Sequence, residues 1–133
     1  MSPNVNSQKL LRLGVVGMGR AFTVMLPTFI KDPRIKLVAG ADPRREPQQQ
    51  FERDFGGPAF DSCELLLNGS DIDIVYLATP AELHVEQIKK IVAAGKHVLL
   101  EKPMALTIED AQRINDLVEK SRVSYAEFFA RSC

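Results

Sequence analysis

The chain has 133 residues, 45% of them apolar and 26% charged, with 17 Lys+Arg set against 17 Asp+Glu. That length suits one globular domain with a real core. A formal net charge of zero argues against a nucleic-acid or membrane surface as the main partner. No apolar run approaches the roughly 20 residues of a membrane span, and residues 1–9 lack the apolar core of a secretory signal. The two cysteines, Cys63 and Cys133, make no disulfide framework and have no metal-ligand neighbours at a useful spacing. The expectation is a cytoplasmic protein without a metal site, with a disordered tail over 1–9 and one domain over 10–133.

The first element is a short apolar strand, Leu11–Val16, that breaks at Gly17-Met18-Gly19 and passes directly into a helix over Arg20–Lys31. This is the layout of a dinucleotide-binding turn, in which Gly17 permits the bend and Gly19 admits a pyrophosphate. The helix start then offers free N–H groups and a positive dipole end. Phe22 stands where the third glycine of G-x-G-x-x-G would fall. By itself the stretch also fits a purely structural strand-to-helix turn. Ala21, Val24, Met25 and Phe29 are read as the buried helix face, and Pro27 as a bend.

Ile35–Ala41 reads as a second apolar strand, followed at once by Asp42-Pro43-Arg44-Arg45. A polar helix is expected over Glu46–Asp54, a very short strand at Ala59-Phe60, and a short helix around Leu65–Leu67 capped by Asp61 or Ser62. Ile72–Ala78 is a near-continuous apolar strand broken by Thr79-Pro80, as expected where both sheet faces are covered. An amphipathic helix over Ala81–Ala94 stops at Gly95, and His97–Leu100 forms a strand ending at Glu101-Lys102-Pro103. Thr107-Ile108-Glu109-Asp110 opens a last helix, and Val123–Phe129 starts a last strand. Strand and helix alternate throughout. The fold class is therefore α/β, a doubly wound parallel sheet.

Ligands of such sheets bind at the carboxyl ends of the strands. Those ends carry the glycine turn, Asp42, Thr79-Pro80 and Glu101-Lys102-Pro103. Asp42 falls 25 positions after Gly17, near the spacing of about 20 for an acid that bonds the adenosine ribose; a turn-forming Asp before proline is the plainer alternative. Asp42 tilts the cofactor toward NAD, while Arg44 or Arg45 could compensate a 2′-phosphate. An ammonium at Lys102 can polarise a reacting oxygen, and Pro103 holds the preceding residue extended. Glu101 could pair with that lysine, although a solvated Glu-Lys pair is an ordinary strand ending. His84, in the first turn after Thr79-Pro80, is a minor candidate. His97 reads as structural, and Cys63 as core.

With these motifs in view the chain resembles the Gfo/Idh/MocA family of NAD(P)-dependent oxidoreductases. The resemblance rests on Gly14–Arg20, Ala41-Asp42-Pro43, Ala78-Thr79-Pro80 with His84, and above all Gly95-Lys96-His97-Val98-Leu99-Leu100-Glu101-Lys102-Pro103. The run Gly19–Phe29 is most similar to a subgroup that includes phthalate cis-dihydrodiol (4,5-dihydroxyphthalate) dehydrogenases. The resemblance implies a Rossmann domain binding NAD or NADP, with position 22 variable. Gly17, Met18, Gly19, Arg20 and Ala21 would cradle the pyrophosphate, and Asp42 and Arg44 would take the ribose end. Thr79 and Pro80 would line the nicotinamide side, with Lys102 as catalytic lysine, and Ala78, His84, Glu101 and Pro103 are further cofactor-binding candidates.

The reaction implied is hydride transfer between the cofactor and a hydroxyl-bearing carbon of a dihydrodiol, sugar or cyclitol. The resemblance implies a second, substrate-binding domain in the family, and the expectation is that this chain holds the cofactor domain without it. The expectation is cofactor binding with little turnover, a small-molecule substrate only in a full-length protein, and an exposed apolar docking patch from which dimerisation or limited solubility would follow. The segment from Ser121 to Cys133 fits the family's last strand poorly. A non-catalytic nucleotide-binding or interaction module is the alternative; a flavodoxin-like response domain would need an acidic pocket that the sequence does not supply.

Overall fold

A parallel sheet hides both faces, so its strands need apolar residues on either side and helices to cover them. The computed structural model, which describes residues 10–101, 105–121 and 125–128, meets that requirement. Its strands are β1 (Leu11–Val16), β2 (Ile35–Ala41), β3 (Ala59–Phe60), β4 (Ile74–Leu77), β5 (His97–Glu101) and β6 (Tyr125–Phe128). They lie in the order β3-β2-β1-β4-β5-β6 and every pairing is parallel. The order reverses beside β1, and a ligand crevice is expected outside that point. The expected tail over 1–9 lies outside the described residues.

Alternation along the strands sorts the core into two layers. Leu13, Val15 and Tyr76 face a cluster with Phe22, Met25 and Phe29 of α1 (Arg20–Lys31) and Phe51 of α2 (Arg45–Phe55). Val16, Val75, Leu77, Val98 and Leu100 face the other cluster. It contains Cys63 and Leu66 of α3 (Cys63–Gly69), Ile88 and Ile91 of α4 (His84–Ala93), and Ile114 of α5 (Ile108–Glu119). Each fully buried aliphatic or aromatic side chain contributes roughly 1.5–3 kcal/mol. Helix termini follow local chemistry. Ser62 Oγ accepts from the Leu65 N–H at 3.1 Å and Thr107 Oγ1 from the Asp110 N–H at 3.0 Å. Gly56 and Gly95 close α2 and α4 with φ of 74°.

Several expectations shift. The buried face of α1 is Phe22, Met25 and Phe29, whereas Val24 is 60% exposed. Phe22 therefore occupies the third-glycine position as a core residue. Pro27 is on the exposed side and the helix runs through it. β4 begins at Ile74 rather than Ile72. Just before it, Asp73 binds Arg12 through the Arg12 N–H, Nε and Nη2 at 2.8–3.1 Å, tying the amino ends of β1 and β4 together. The helix expected from Ala81 starts as a 3₁₀ turn, Ala81–Leu83, in which the Leu83 N–H reaches the Pro80 carbonyl. The poorly fitting C-terminal segment supplies β6, whose Tyr125–Phe128 pair with Val98–Glu101.

One buried polar contact joins β4 to β5. Tyr76, at the centre of β4, is fully buried, and its hydroxyl donates to the Glu101 carboxylate at the end of β5, itself only 6% exposed. Phe29 meets the Tyr76 ring edge-on at 5.1 Å. Burial first, and the bond to Glu101 second, push the Tyr76 phenol well above its ordinary value, so it stays a donor. Tyr76→Phe keeps the ring but removes a donor from a buried carboxylate. Loss of about 1–3 kcal/mol in urea unfolding is expected; a variant as stable as the parent would show that the contact contributes nothing net.

Candidate functional site

The carboxyl ends of β1, β2, β3 and β4 open on one cavity of about 560 Å³, within the range of about 300–1,000 Å³ usual for small-molecule and cofactor sites. β1 contributes Val16, Gly17 and Gly19, β2 contributes Ala41 to Arg44, and β4 contributes Ala78, Thr79 and Pro80. β3 and the start of α3 contribute Asp61, Ser62, Cys63 and Glu64, and the helix after β4 contributes Leu83, Gln87 and Lys90.

The glycine turn is built for close approach. Gly17 has φ +94°, and a Cβ there would lie 2.8 Å from the Ala78 carbonyl and 3.0 Å from the Thr79 nitrogen. No residue with a side chain fits without moving the end of β4. Its N–H donates to the Ala41 carbonyl at 2.9 Å, while the Ala78 N–H donates to the Val16 carbonyl at 2.8 Å. The turn is thus stitched to β2 on one side and β4 on the other. Gly19 differs: a Cβ there would meet nothing nearer than Arg44 Nη2 at 3.8 Å. Its open space faces the cavity. α1 begins there with no side-chain cap and no acidic residue in its first turn, which leaves its leading N–H groups and positive end for an anion.

Asp42 is the hub. It is 4% exposed, and its Oδ2 accepts from the Met18 N–H at 2.9 Å and from Arg44 Nη2 at 3.1 Å. Its Oδ1 accepts from the Arg44 N–H and Nε, both at 2.9 Å. Burial works to raise the Asp42 carboxyl, but these Arg44 and Met18 bonds outweigh it and hold the group below the usual carboxylate range. The Arg44 side chain is 63% exposed and forms part of the cavity rim. Gln48, buried on α2, donates through Nε2 to the Asp42 carbonyl at 2.7 Å and to Asp61 Oδ1 at 2.9 Å.

The sequence candidates divide. Gly17, Gly19, Asp42, Arg44, Ala78, Thr79 and Pro80 line the cavity. Met18, Arg20, Ala21, His84 and Glu101 are not among the lining residues. Met18 gives its N–H to Asp42 and is buried among the core residues of α1 and α2. Arg20 and Ala21 open α1 behind Gly19. His84 is 1% exposed, and its Nε2 meets the Thr79 carbonyl at 2.8 Å, so the imidazole backs the Thr79-Pro80 loop rather than facing the cavity. Gln87 accepts from the Thr79 hydroxyl. Glu101 accepts from the Tyr76 hydroxyl, and the pairing considered between it and Lys102 lies outside the described residues. Lys102 and Pro103 lie outside the described residues.

Three polar residues went unremarked in the sequence: Tyr76, Gln48 and Gln87. Tyr76 carried a signal, a hydroxyl inside an otherwise apolar strand that must find a partner. Gln48 is spaced i, i+3 from buried Phe51, the inward face of a helix that otherwise reads as polar. Cys63 is core, as expected, and also edges the cavity; burial pushes its thiol up to about 11, which makes it a poor nucleophile. Among the described residues no group of three metal-ligating side chains is gathered, and no helix is long and apolar enough to cross a membrane.

Comparison with known proteins agrees with this geometry. A family model described as an oxidoreductase family with an NAD-binding Rossmann fold matches residues 11–129. The chain is 43% identical over 112 residues to a 1-carboxy-3-chloro-3,4-dihydroxycyclohexa-1,5-diene dehydrogenase of Comamonas testosteroni, covering 84% of this chain and 28% of that protein. Its fold matches the WlbA dehydrogenase of Bordetella pertussis, solved with NADH and UDP-GlcNAcA, with a TM-score of 0.85 at 31% identity. That match covers 90% of this chain and 35% of the other. It also matches KijD10, a 3-ketoreductase of Actinomadura kijaniata solved with NADP and TDP-benzene, with a TM-score of 0.80 at 32% identity over 88% and 36% of the two chains. The chain thus spans about a third of these relatives. With its glycine turn, strand order and sequence in agreement, the chain belongs to the Gfo/Idh/MocA oxidoreductase family, whose members share the NAD-binding Rossmann fold.

Proposed function

We propose that residues 10–133 act as one domain that binds NAD or NADP along the carboxyl edge of the sheet, as the cofactor half of a cytoplasmic oxidoreductase. The observation that carries this reading is the uncapped start of α1 behind Gly17 and Gly19, with buried Asp42 fixed to the same turn. The free N–H groups of α1 would hold the pyrophosphate and Asp42 the adenosine ribose. A bound nicotinamide supplies the hydride acceptor or donor.

The reaction proposed is transfer of hydride to or from a hydroxyl-bearing carbon of a dihydrodiol, sugar or cyclitol. The dihydrodiol class is supported by the 43% identity to the cyclohexadiene diol dehydrogenase, and the sugar class by a relative solved with UDP-GlcNAcA. Lys102 is the proposed catalytic residue. It directly follows Glu101, the last residue of β5, and an ammonium there would stabilise charge on the reacting oxygen. Exposed Leu106 and Ile108, ahead of and opening α5, offer apolar surface for a further domain or a second copy of the chain.

Cofactor choice turns on Arg44. All four bonds described at the Asp42 carboxylate come from the protein, three of them from Arg44. A ribose diol must replace the guanidinium, and the released cation then stands beside the 2′ position. This arrangement makes the site permissive to the 2′-phosphate that Asp42 alone would repel. In calorimetric titration of the 133-residue chain, Arg44→Ala should weaken NADP⁺ about tenfold or more and leave NAD⁺ unchanged or tighter. Parallel changes for both would remove Arg44 from cofactor choice. In a protein carrying this chain together with a substrate-binding half, Lys102→Ala should lower kcat at least about 100-fold with NAD⁺ affinity little changed; a variant of normal activity removes Lys102 from the mechanism. An unmodified protein that binds NAD⁺ but turns over no substrate would instead favour the alternative of a non-catalytic nucleotide-binding module.

A further inference from the structure

The cavity does not end at Asp42. Across the sheet its floor steps from the Gly17 turn on β1 to Asp42 on β2 and then to Asp61 immediately after β3, each step one strand spacing of about 4.8 Å. A dinucleotide laid with its pyrophosphate at the first step and its ribose at the second brings its base to the third. The polar group waiting there is fixed in place. Buried Gln48 ties Asp61 Oδ1 to the Asp42 carbonyl through one amide nitrogen, at 2.9 and 2.7 Å. Among the described residues no donor to Asp61 Oδ2 is seen. The neighbouring polar groups are otherwise engaged: Ser62 Oγ caps α3, and Glu64 faces Lys90 at 3.9 Å.

We propose that Asp61 reads the base, accepting a hydrogen bond from the exocyclic amine of adenine and thereby selecting a 6-amino over a 6-oxo purine dinucleotide. The inference rests on the cofactor reading above and adds a residue to it. Its chemistry is one-sided. A carboxylate oxygen can only accept, so it attracts the amine of adenine and repels the carbonyl oxygen of hypoxanthine at the same position. Gln48 sets the orientation, because its single nitrogen holds Asp61 and the Asp42 main chain at a fixed separation. Base and ribose recognition are then set by one side chain.

The test uses the 133-residue chain and two probes, NAD⁺ and its hypoxanthine analogue (deamino-NAD⁺), titrated by calorimetry. The unmodified chain should bind NAD⁺ about tenfold or more tightly than the analogue. Asp61→Ala should bring that ratio close to one. Asp61→Asn, nearly isosteric, should do the same, since its amide can accept from adenine or donate to hypoxanthine. A merely structural defect would weaken both ligands together and keep the ratio, and circular dichroism confirms that each variant is folded. A parent that binds both equally, or variants that keep the parent's preference, would overturn the assignment while leaving cofactor binding intact. If the parent binds neither ligand, the cofactor reading fails and this one with it.

Discussion

The bond from the Met18 N–H to the Asp42 carboxylate fixes the site to the fold. It joins the turn after β1 to the end of β2, so the group that would hold a phosphate and the group that would hold a ribose cannot move independently. Everything around it supports that joint. Gly17 allows the turn to touch the end of β4, Gln48 holds the Asp42 main chain from α2, and Arg44 neutralises the charge that burial would otherwise penalise. The cost of burying a carboxylate is offset by donors already in place, which leaves the site preorganised.

The two sides of the sheet then do different things. The α1–α2 layer anchors the turn through Met18, Phe22 and Phe51 and carries the Tyr76–Glu101 contact. The α3–α5 layer supplies the cavity's other wall and backs the Thr79-Pro80 loop with His84 and Gln87. A parallel sheet with short connections is what lets four strand ends converge without long loops.

Much of this was legible in the sequence. Element order and the convergence of Gly17, Asp42 and Thr79-Pro80 follow from apolar periodicity and strand endings alone, whereas the strand order that puts the switch beside β1 does not. What escaped was direction. Sequence spacing cannot tell that His84 turns inward behind its loop, that Glu101 points to a buried tyrosine, or that Met18 spends its N–H on Asp42, because each depends on which face of a strand or helix looks at which neighbour. Phe22 shows the same limit. As a motif position it is an anomaly, yet in three dimensions it is an ordinary core residue of α1. The Arg44–Asp42 pair was foreseeable only as two charges near each other, not as three bonds from one arginine to a buried carboxylate.

The most direct measurement of the central claim is a backbone amide NMR titration of the ¹⁵N-labelled chain with NAD⁺. Saturable shifts should appear at Gly17, Gly19, Arg20, Ala21, Asp42 and Arg44, with little change at Arg12, Asp73 and His97 at the opposite end of the sheet. Shifts confined to that opposite end, or no saturable shifts at all, would contradict a cofactor site organised on the Met18–Asp42 joint.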